Sequence, residues 1–355
     1  MQRILRHTLI FAIVSITSFT APVSAFTHNT RESSSRSSNL NSEKVQQRQL
    51  ASSQRGVCGT EEPTTQLKDA HKRLSLREYR HAEGSIDGNA SRATADSLPR
   101  IEVDTWFHVV STSEKVGLVT NTMIASQFLY LQQAYQNSSI HYNLIGVDRS
   151  INDTWARNGD SAAMKRTLRK GSYSALNVYF QTDLEVSDAS GASSRRNGHH
   201  HHHIQNLDKR DVLSSQNLLG FCTLPNPEIT SSSSIDDYFN DGCNILASTM
   251  PGGSIEHYNR GGTTVHEVGH WHGLLHTFQD QTCAPGANGD YISDTPQQSV
   301  PTEGCPASKD SCSDLPGMDA IWNFMDYSSD DCYRSFTVEQ ASRMRSMWAT
   351  MREGK

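Results

Sequence analysis

The chain has 355 residues, a formal net charge of −6 and seven cysteines. The modest charge, with no strongly basic face and no stacking motif, excludes nucleic acid as a partner. The length allows one or two domains.

The first 25 residues read as a secretory signal. Arg3 and Arg6 give a positive start, Leu9 to Val14 is mostly apolar, and Val23-Ser24-Ala25 offers a small-residue cleavage site. A membrane anchor is the competing reading, but this stretch is short and interrupted by Ser and Thr. No other segment is apolar enough to cross a bilayer, so a secreted, extracellular protein with no membrane contact is expected. Sequons at Asn89, Asn137 and Asn152 are glycosylation candidates that agree with secretion. In that compartment seven cysteines imply disulfides with one thiol left over. Residues 26–98 are polar and poor in large apolar side chains. Such a stretch buries too little surface to offset its ordering entropy, so it reads as a disordered leader or pro-segment. Its one sharp feature is Cys58.

From Pro99 the pattern changes. Residues 101–110 predict a strand, first alternating and then continuously apolar. Residues 121–136 predict a helix with Ile124, Phe128, Leu131 and Tyr135 on one stripe, capped by Thr120 or Asn121. A strand is expected over 140–147, a short helix over 160–170 ending at Gly171, and strands over 176–181 and 244–248. Residues 187–215, with the run His199 to His203, read as a flexible insertion. Adjacent histidines lack the framework that fixes a catalytic geometry.

A helix beginning near Gly262 carries the main signal. Residues 266–276 read His-Glu-Val-Gly-His-Trp-His-Gly-Leu-Leu-His, the pattern HExxHxxGxxH. His266 and His270, four apart, project from one helix face and can chelate one ion. Glu267 lies near that face and can act as base to a metal-bound water. His276 cannot join while the helix continues, because ten residues at 1.5 Å rise put it about 15 Å along the axis. The chain must turn back, and Gly273 is where left-handed backbone angles are available. Three histidines leave a coordination position open, whereas structural zinc sites close with four ligands and favour cysteine. The pattern is that of metzincin zinc proteases. A helix whose histidines merely pack is the competing reading.

Residues 277–322 are rich in Gly, Pro, Asp and Cys and predict irregular, disulfide-held structure. A final helix follows, with Thr337 and Gln340 as a capping box and Ala341, Met344, Trp348 and Met351 as its buried stripe.

The zinc motif, extended as HEVGHWHGLLHTF, resembles the pappalysin family of metzincins, together with GDYISDTP, Cys305-Pro306 and NFMDYSSDDC. The likeness is to small secreted fungal metalloproteases and spans roughly residues 99–350. It implies an α+β fold: a twisted mixed sheet with backing and active-site helices, then an irregular disulfide-held subdomain ending in a helix. The catalytic domain is accordingly 99–355. The resemblance assigns zinc to His266, His270 and His276, acid–base work to Glu267, the methionine turn to Met325 and an oxyanion role to Tyr327. It also implies calcium at Asp290, Asp294 and Thr295, which supply the hard oxygens that ion takes. Acidic residues capping turns are the alternative there. It favours disulfides Cys283–Cys312 and Cys305–Cys332, which leave Cys222 and Cys243 as a third pair. His272 departs from the family, which usually has leucine. Two residues after His270, it points away from the ion and reads as a packing or surface variant.

Cys58 is then the odd cysteine. A thiolate from a pro-segment can occupy the open zinc position and exclude water, so Cys58 is a candidate latency switch. Pairing with another cysteine, or inertness, are the alternatives. The expected function is a secreted, monomeric endopeptidase acting on protein or peptide substrates. Asp330 and Asp331, just past the methionine turn, are candidates for favouring a basic residue after the cut. A zinc-holding binding or adhesion protein, or an astacin-like metzincin, are the competing classes. Intact Glu267 argues against the first, and the cysteine spacing with NFMDY against the second.

Overall fold

A computed structural model describes residues 56–84, 99–186 and 217–355. The signal segment 1–25, Asn89 and the insertion 187–215 lie outside the described residues.

The elements in chain order are β1 (Gly56–Cys58), α1 (Thr65–Gly84), β2 (Ile101–Ser111), α2 (Asn121–Tyr135), β3 (Ile140–Ile151), α3 (Asp153–Ala156), α4 (Ser161–Leu168), β4 (Leu176–Gln181), β5 (Asn217–Cys222), α5 (Ile235–Tyr238), β6 (Cys243–Leu246), α6 (Gly262–Trp271) and α7 (Val338–Met351). They build one sheet in the order β1-β5-β6-β4-β2-β3. Strands β2, β3, β4 and β6 run parallel; β5 is antiparallel to β6, and β1 is parallel to β5. The continuous burial of β4 and of the second half of β2 follows from this, since central parallel strands are covered on both faces. Phe107, Val178 and Phe180 are fully buried in the main core, with Leu131 of α2 and Val265 and Val268 of α6.

Local signals place α2 well. Thr120 is its N-cap and accepts from Met123 N. Its buried stripe is Ile124, Gln127, Leu131 and Tyr135, with Phe128 only half-buried. Gln127 is inside because its amide donates to Gly261 O, and Tyr135 donates to Val265 O at 2.9 Å. These two bonds tie α2 to α6.

Residues 56–84 depart from the expected disordered leader. They form β1 and a 20-residue helix, α1. Composition misleads here because the segment needs only a thin apolar stripe. Leu67, Ala70 and Leu74 recur at helical spacing and bury against Met347 and Met351 of α7. The same contact explains why the buried stripe of α7 is broader than expected: Arg343 and Met347 join Met344, Trp348 and Met351 inside, and Ala341 is half-buried. Strand β5, between the insertion and Cys222, escapes the sequence reading because its context is polar and glycine-containing. Between 277 and 322 the described chain is irregular apart from one short turn of helix at Gln279–Gln281. Three disulfides join Cys222 to Cys243, Cys283 to Cys312 and Cys305 to Cys332, and Cys58 is free.

Candidate active site

Helix α6 is buried along its whole length. It ends at Trp271, and Gly273 takes φ +91°, where a side chain is strained. Gly273 N donates to His270 O and Leu274 N to Gly269 O, which satisfies the last carbonyls and turns the chain back. The turn brings His276 to the other two histidines. His270 Nε2 lies 3.2 Å from His266 Nε2 and 3.1 Å from His276 Nε2.

The tautomers follow from the backbone. His266 Nδ1 donates to Phe324 O at 2.6 Å and His270 Nδ1 to Leu274 O at 2.8 Å. Each of these two Nε2 atoms is then a bare lone pair aimed at a shared point, as in a metal-binding histidine whose other ring nitrogen is held by a carbonyl. Burial lowers the pKa of all three, to about 4 for His266, so they stay neutral. Converging lone pairs at this distance repel one another unless a cation lies between them. Three neutral imidazoles are a donor set suited to zinc.

Cys58 completes the group. Its sulfur lies within 4.8 Å of the ligand nitrogens of His266, His270 and His276, and this is the one such cluster among the described residues. Strand β1 carries it there by pairing with β5. The thiol contacts Glu267 Oε2 at 3.4 Å. Burial, then the facing Glu267, pushes the thiol pKa up. Burial also raises Glu267 to about 8, against the lowering effect of Cys58 and Thr60. Thr60 is a residue that sequence reasoning missed. Its hydroxyl donates to Glu267 Oε2 at 3.0 Å and accepts from Cys222 N at 2.9 Å. Its place two residues after Cys58 is the only signal for it.

Met325 is fully buried beneath the histidines. A Cβ on Gly269 would stand 2.5 Å from Met325 Sδ, so helix and turn touch as closely as a glycine allows. The turn is held by Asn323, whose Oδ1 accepts from Met325 N at 2.9 Å. Asn323 in turn exchanges two hydrogen bonds with Gln340. Gln340 thus does two jobs, one in the α7 capping box and one on the methionine turn. Tyr327 packs its ring on His276 and Phe278, and its hydroxyl donates to Cys58 O at 3.4 Å.

The other expected residues lie apart from this cluster. Asp330 Oδ2 accepts from Arg260 N and Gly262 N at the start of α6, while its buried Oδ1 has no hydrogen-bond partner among the described residues. Burial raises Asp330 to about 6. Asp331 pairs at the surface with Arg260 and His257. Asp290 accepts from Thr295 Oγ1 and Ile292 N, and Asp294 accepts from Glu339 N at the start of α7. Asn137 is exposed, and half-buried Asn152 caps α3 by accepting from Trp155 N. His272 is buried and its Nε2 meets Tyr142 Oη at 3.0 Å, so it packs.

A further network anchors the C-terminal end of α6. Asp241 Oδ2 accepts from Trp271 Nε1 at 2.9 Å, and both carboxylate oxygens face Arg352 at 3.0 and 3.1 Å. Arg352 also donates to Trp271 O, and Arg169 reaches Asp241 Oδ2 at 3.4 Å. No local pattern announces these residues, because their partners lie 30 to 111 positions away.

Comparison with known proteins agrees with this geometry. The Peptidase_M43 family model, described as pregnancy-associated plasma protein-A, matches residues 203–349. An extracellular metalloprotease of Aspergillus fumigatus is 53% identical over 85% of this chain and 90% of its own length. One from Aspergillus oryzae is 54% identical over 86% and 93%. Among solved structures, a Tannerella forsythia promirolysin mutant superposes with TM-score 0.52 at 21% identity, over 83% of this chain and 94% of that one. Mature mirolysin gives TM-score 0.51 at 23% identity, over 71% and 92%. No helix among the described residues is long and apolar enough to cross a membrane, in keeping with the extracellular relatives. The chain belongs to the Peptidase_M43 (pappalysin) family and is a zinc metalloprotease.

Proposed function

We propose that this protein is a secreted zinc endopeptidase made as a latent precursor, with residues 26–98 as pro-segment and 99–355 as catalytic domain. The observation that carries the proposal is the convergence of three histidine Nε2 atoms, with that of His270 3.2 and 3.1 Å from those of His266 and His276, beside the buried carboxylate of Glu267. His266, His270 and His276 would hold zinc, whose charge when bound would supply an acidified water and polarise the scissile carbonyl. Glu267 takes the proton of the attacking water and passes it to the leaving amine. Tyr327 is kept a neutral phenol by burial, and in the latent chain it already donates to a peptide carbonyl, the type of group it would stabilise in the oxyanion. Met325 floors the site.

In the precursor, Cys58 covers the ligand cluster and Thr60 holds the carboxylate of Glu267. Cys58 would serve as a fourth ligand there, because its thiol gives up a proton more readily beside a divalent cation. Asp330 supports a preference for Arg or Lys after the cut, because its orphaned buried oxygen is an acceptor waiting for a cationic donor. Calcium is a separate addition: burial raises Asp290 to about 7, and a cation beside it and Asp294 would supply the missing charge. A rise in melting temperature with calcium, abolished in Asp290→Ala, tests this. Glycans on Asn137 and Asn152 are readable by mass spectrometry of the secreted protein.

The central test is Glu267→Gln in the matured protein. It should retain zinc and lose about 10²–10⁴-fold in hydrolysis rate. Wild-type rates in that variant remove Glu267 from the mechanism. Peptide-library profiling of Asp330→Ala beside wild type decides the specificity reading.

A further inference from the structure

Two of the contacts that the described part of the leader makes with the rest of the protein are extensive and share no residues. The first is β1 with Thr60 over the histidines. The second is α1 on a platform formed by α7 and the Tyr291 turn. Leu67, Ala70 and Leu74 cover Met347 and Met351 there. Beside them Arg343, which is fully buried, spreads its guanidinium over α1. It donates to His71 Nδ1 at 2.8 Å, to Ser75 Oγ at 2.8 Å and to both oxygens of Glu78 at 3.2 and 2.8 Å. Its last partner is Tyr291 O at 2.9 Å, and Ser75 Oγ donates to the same carbonyl. His71 stacks on the Tyr291 ring at 5.3 Å. Arg343 is thus buried by leader residues: four of its five contacts go to α1.

The stretch joining the two contacts is packed differently. Glu61, Glu62 and Thr64 are exposed and line a cavity of about 670 Å³ together with Leu224, Pro225 and Glu228; Pro63 among them is buried, and Glu62 accepts one hydrogen bond from Gln279 Nε2 at 2.8 Å. Two extensive anchors joined by a short, lightly held tether bind as a bivalent ligand. Each raises the effective concentration of the other, and neither needs to be strong alone.

We propose that α1 is an inhibitory anchor in its own right, docking an amphipathic, acid-bearing helix on the Arg343 platform and thereby holding Cys58 and Thr60 in the cleft. This rests on the reading of residues 26–98 as a pro-segment. Latency is then set at two sites, of which only one involves the metal. A cut anywhere in residues 61–64 separates them: the plug loses its tether, while α1 stays on the platform as a weaker, free ligand.

Cys58 alkylation in the freshly purified full chain reads the anchor directly, because the six other cysteines are in disulfides. Mass spectrometry confirms that the chain is uncut, and its zinc content is measured in parallel. Leu67→Ala with Leu74→Ala removes only leader atoms, so the catalytic part has no reason to misfold. This pair should speed alkylation at least about tenfold with zinc still bound, since each buried Leu→Ala change costs more than that factor in a packed site. Glu78→Gln should act in the same direction, and Arg343→Met should reproduce the effect from the other side of the contact. Alkylation at the wild-type rate in the Leu67/Leu74 variant overturns the proposal. A chelator that strips zinc without changing the wild-type rate removes the thiol–zinc reading instead, and leaves the helix result standing.

Discussion

Replacing Asp241 with Asn tests the idea that the active-site helix is anchored by a buried charge network. Asp241 is 4% exposed and faces Arg169 and Arg352, whose side chains are 1% and 0% exposed. Burial alone would raise its pKa, but Arg352 and then Arg169 outweigh it and hold the carboxyl below its usual value. The amide keeps the shape and removes the charge, leaving two buried guanidiniums without an anion. Breaking a buried pair from one side costs about 3–5 kcal/mol. At about 2–4 °C per kcal/mol for a domain of this size, the melting temperature should fall by about 6–20 °C. The acid limb supplies an independent check. A depressed carboxyl contributes stability above its unfolded pKa, about 3.9, and loses it as pH falls through the folded value. Wild type should therefore lose melting temperature more steeply below pH 4 than Asp241→Asn. Because Arg352 also holds Trp271 O, zinc affinity should weaken together with stability. Adding Arg352→Met removes one of the stranded charges, so the double variant should be less destabilised than the two single changes summed. A shift under about 3 °C with an unchanged acid limb would refute the reasoning, since it lies below the smallest cost expected for a stranded buried charge.

Three further outcomes are expected. Gly269→Ala places a Cβ against Met325 Sδ, an overpacking that costs about 1–3 kcal/mol and displaces the methionine turn; calorimetry and zinc titration should both register it, and an unperturbed variant would show that the contact relaxes freely. Gln340→Ala removes the capping-box partner and leaves Asn323 Oδ1 and Nδ2 short of bonds in a buried site, for about 1–3 kcal/mol by chemical denaturation. Docking of α1 should loosen in acid. Burial, then Arg343, lowers His71 to about 3, so the docked state is fully stable above 6.5 and loses about 1.4 kcal/mol per pH unit below it until His71 protonates in place. The groups facing His71 are the Arg343 guanidinium and the Tyr291 ring. Alkylation of Cys58 against pH should rise from about pH 6 downward relative to a free thiol standard, and His71→Asn should flatten that rise.

The chelating helix is legible in the sequence because its information is local. His266 and His270 are one turn apart, Gly273 marks the only point where the chain can reverse, and Thr120 and Thr337 announce their helices by capping. The strands β2 and β4 are equally plain, since their apolar, β-branched and aromatic residues mark strands that are covered in the middle of the sheet. What the tertiary structure alone decides is everything that depends on distant partners. Composition gives no warning that residues 56–84 are ordered, because α1 gains its stability from Met347, Met351 and Arg343, some 270 positions away, and not from its own polar sequence. Arg343 breaks an apolar stripe and reads as solvated until α1 covers it. Thr60, Asp241 and Gln340 have no local pattern that distinguishes them from surface polar residues; burial and hydrogen-bond geometry make them part of the site. The motif thus sets which atoms can hold the metal, while long-range packing sets how tightly they are held and what stands over them.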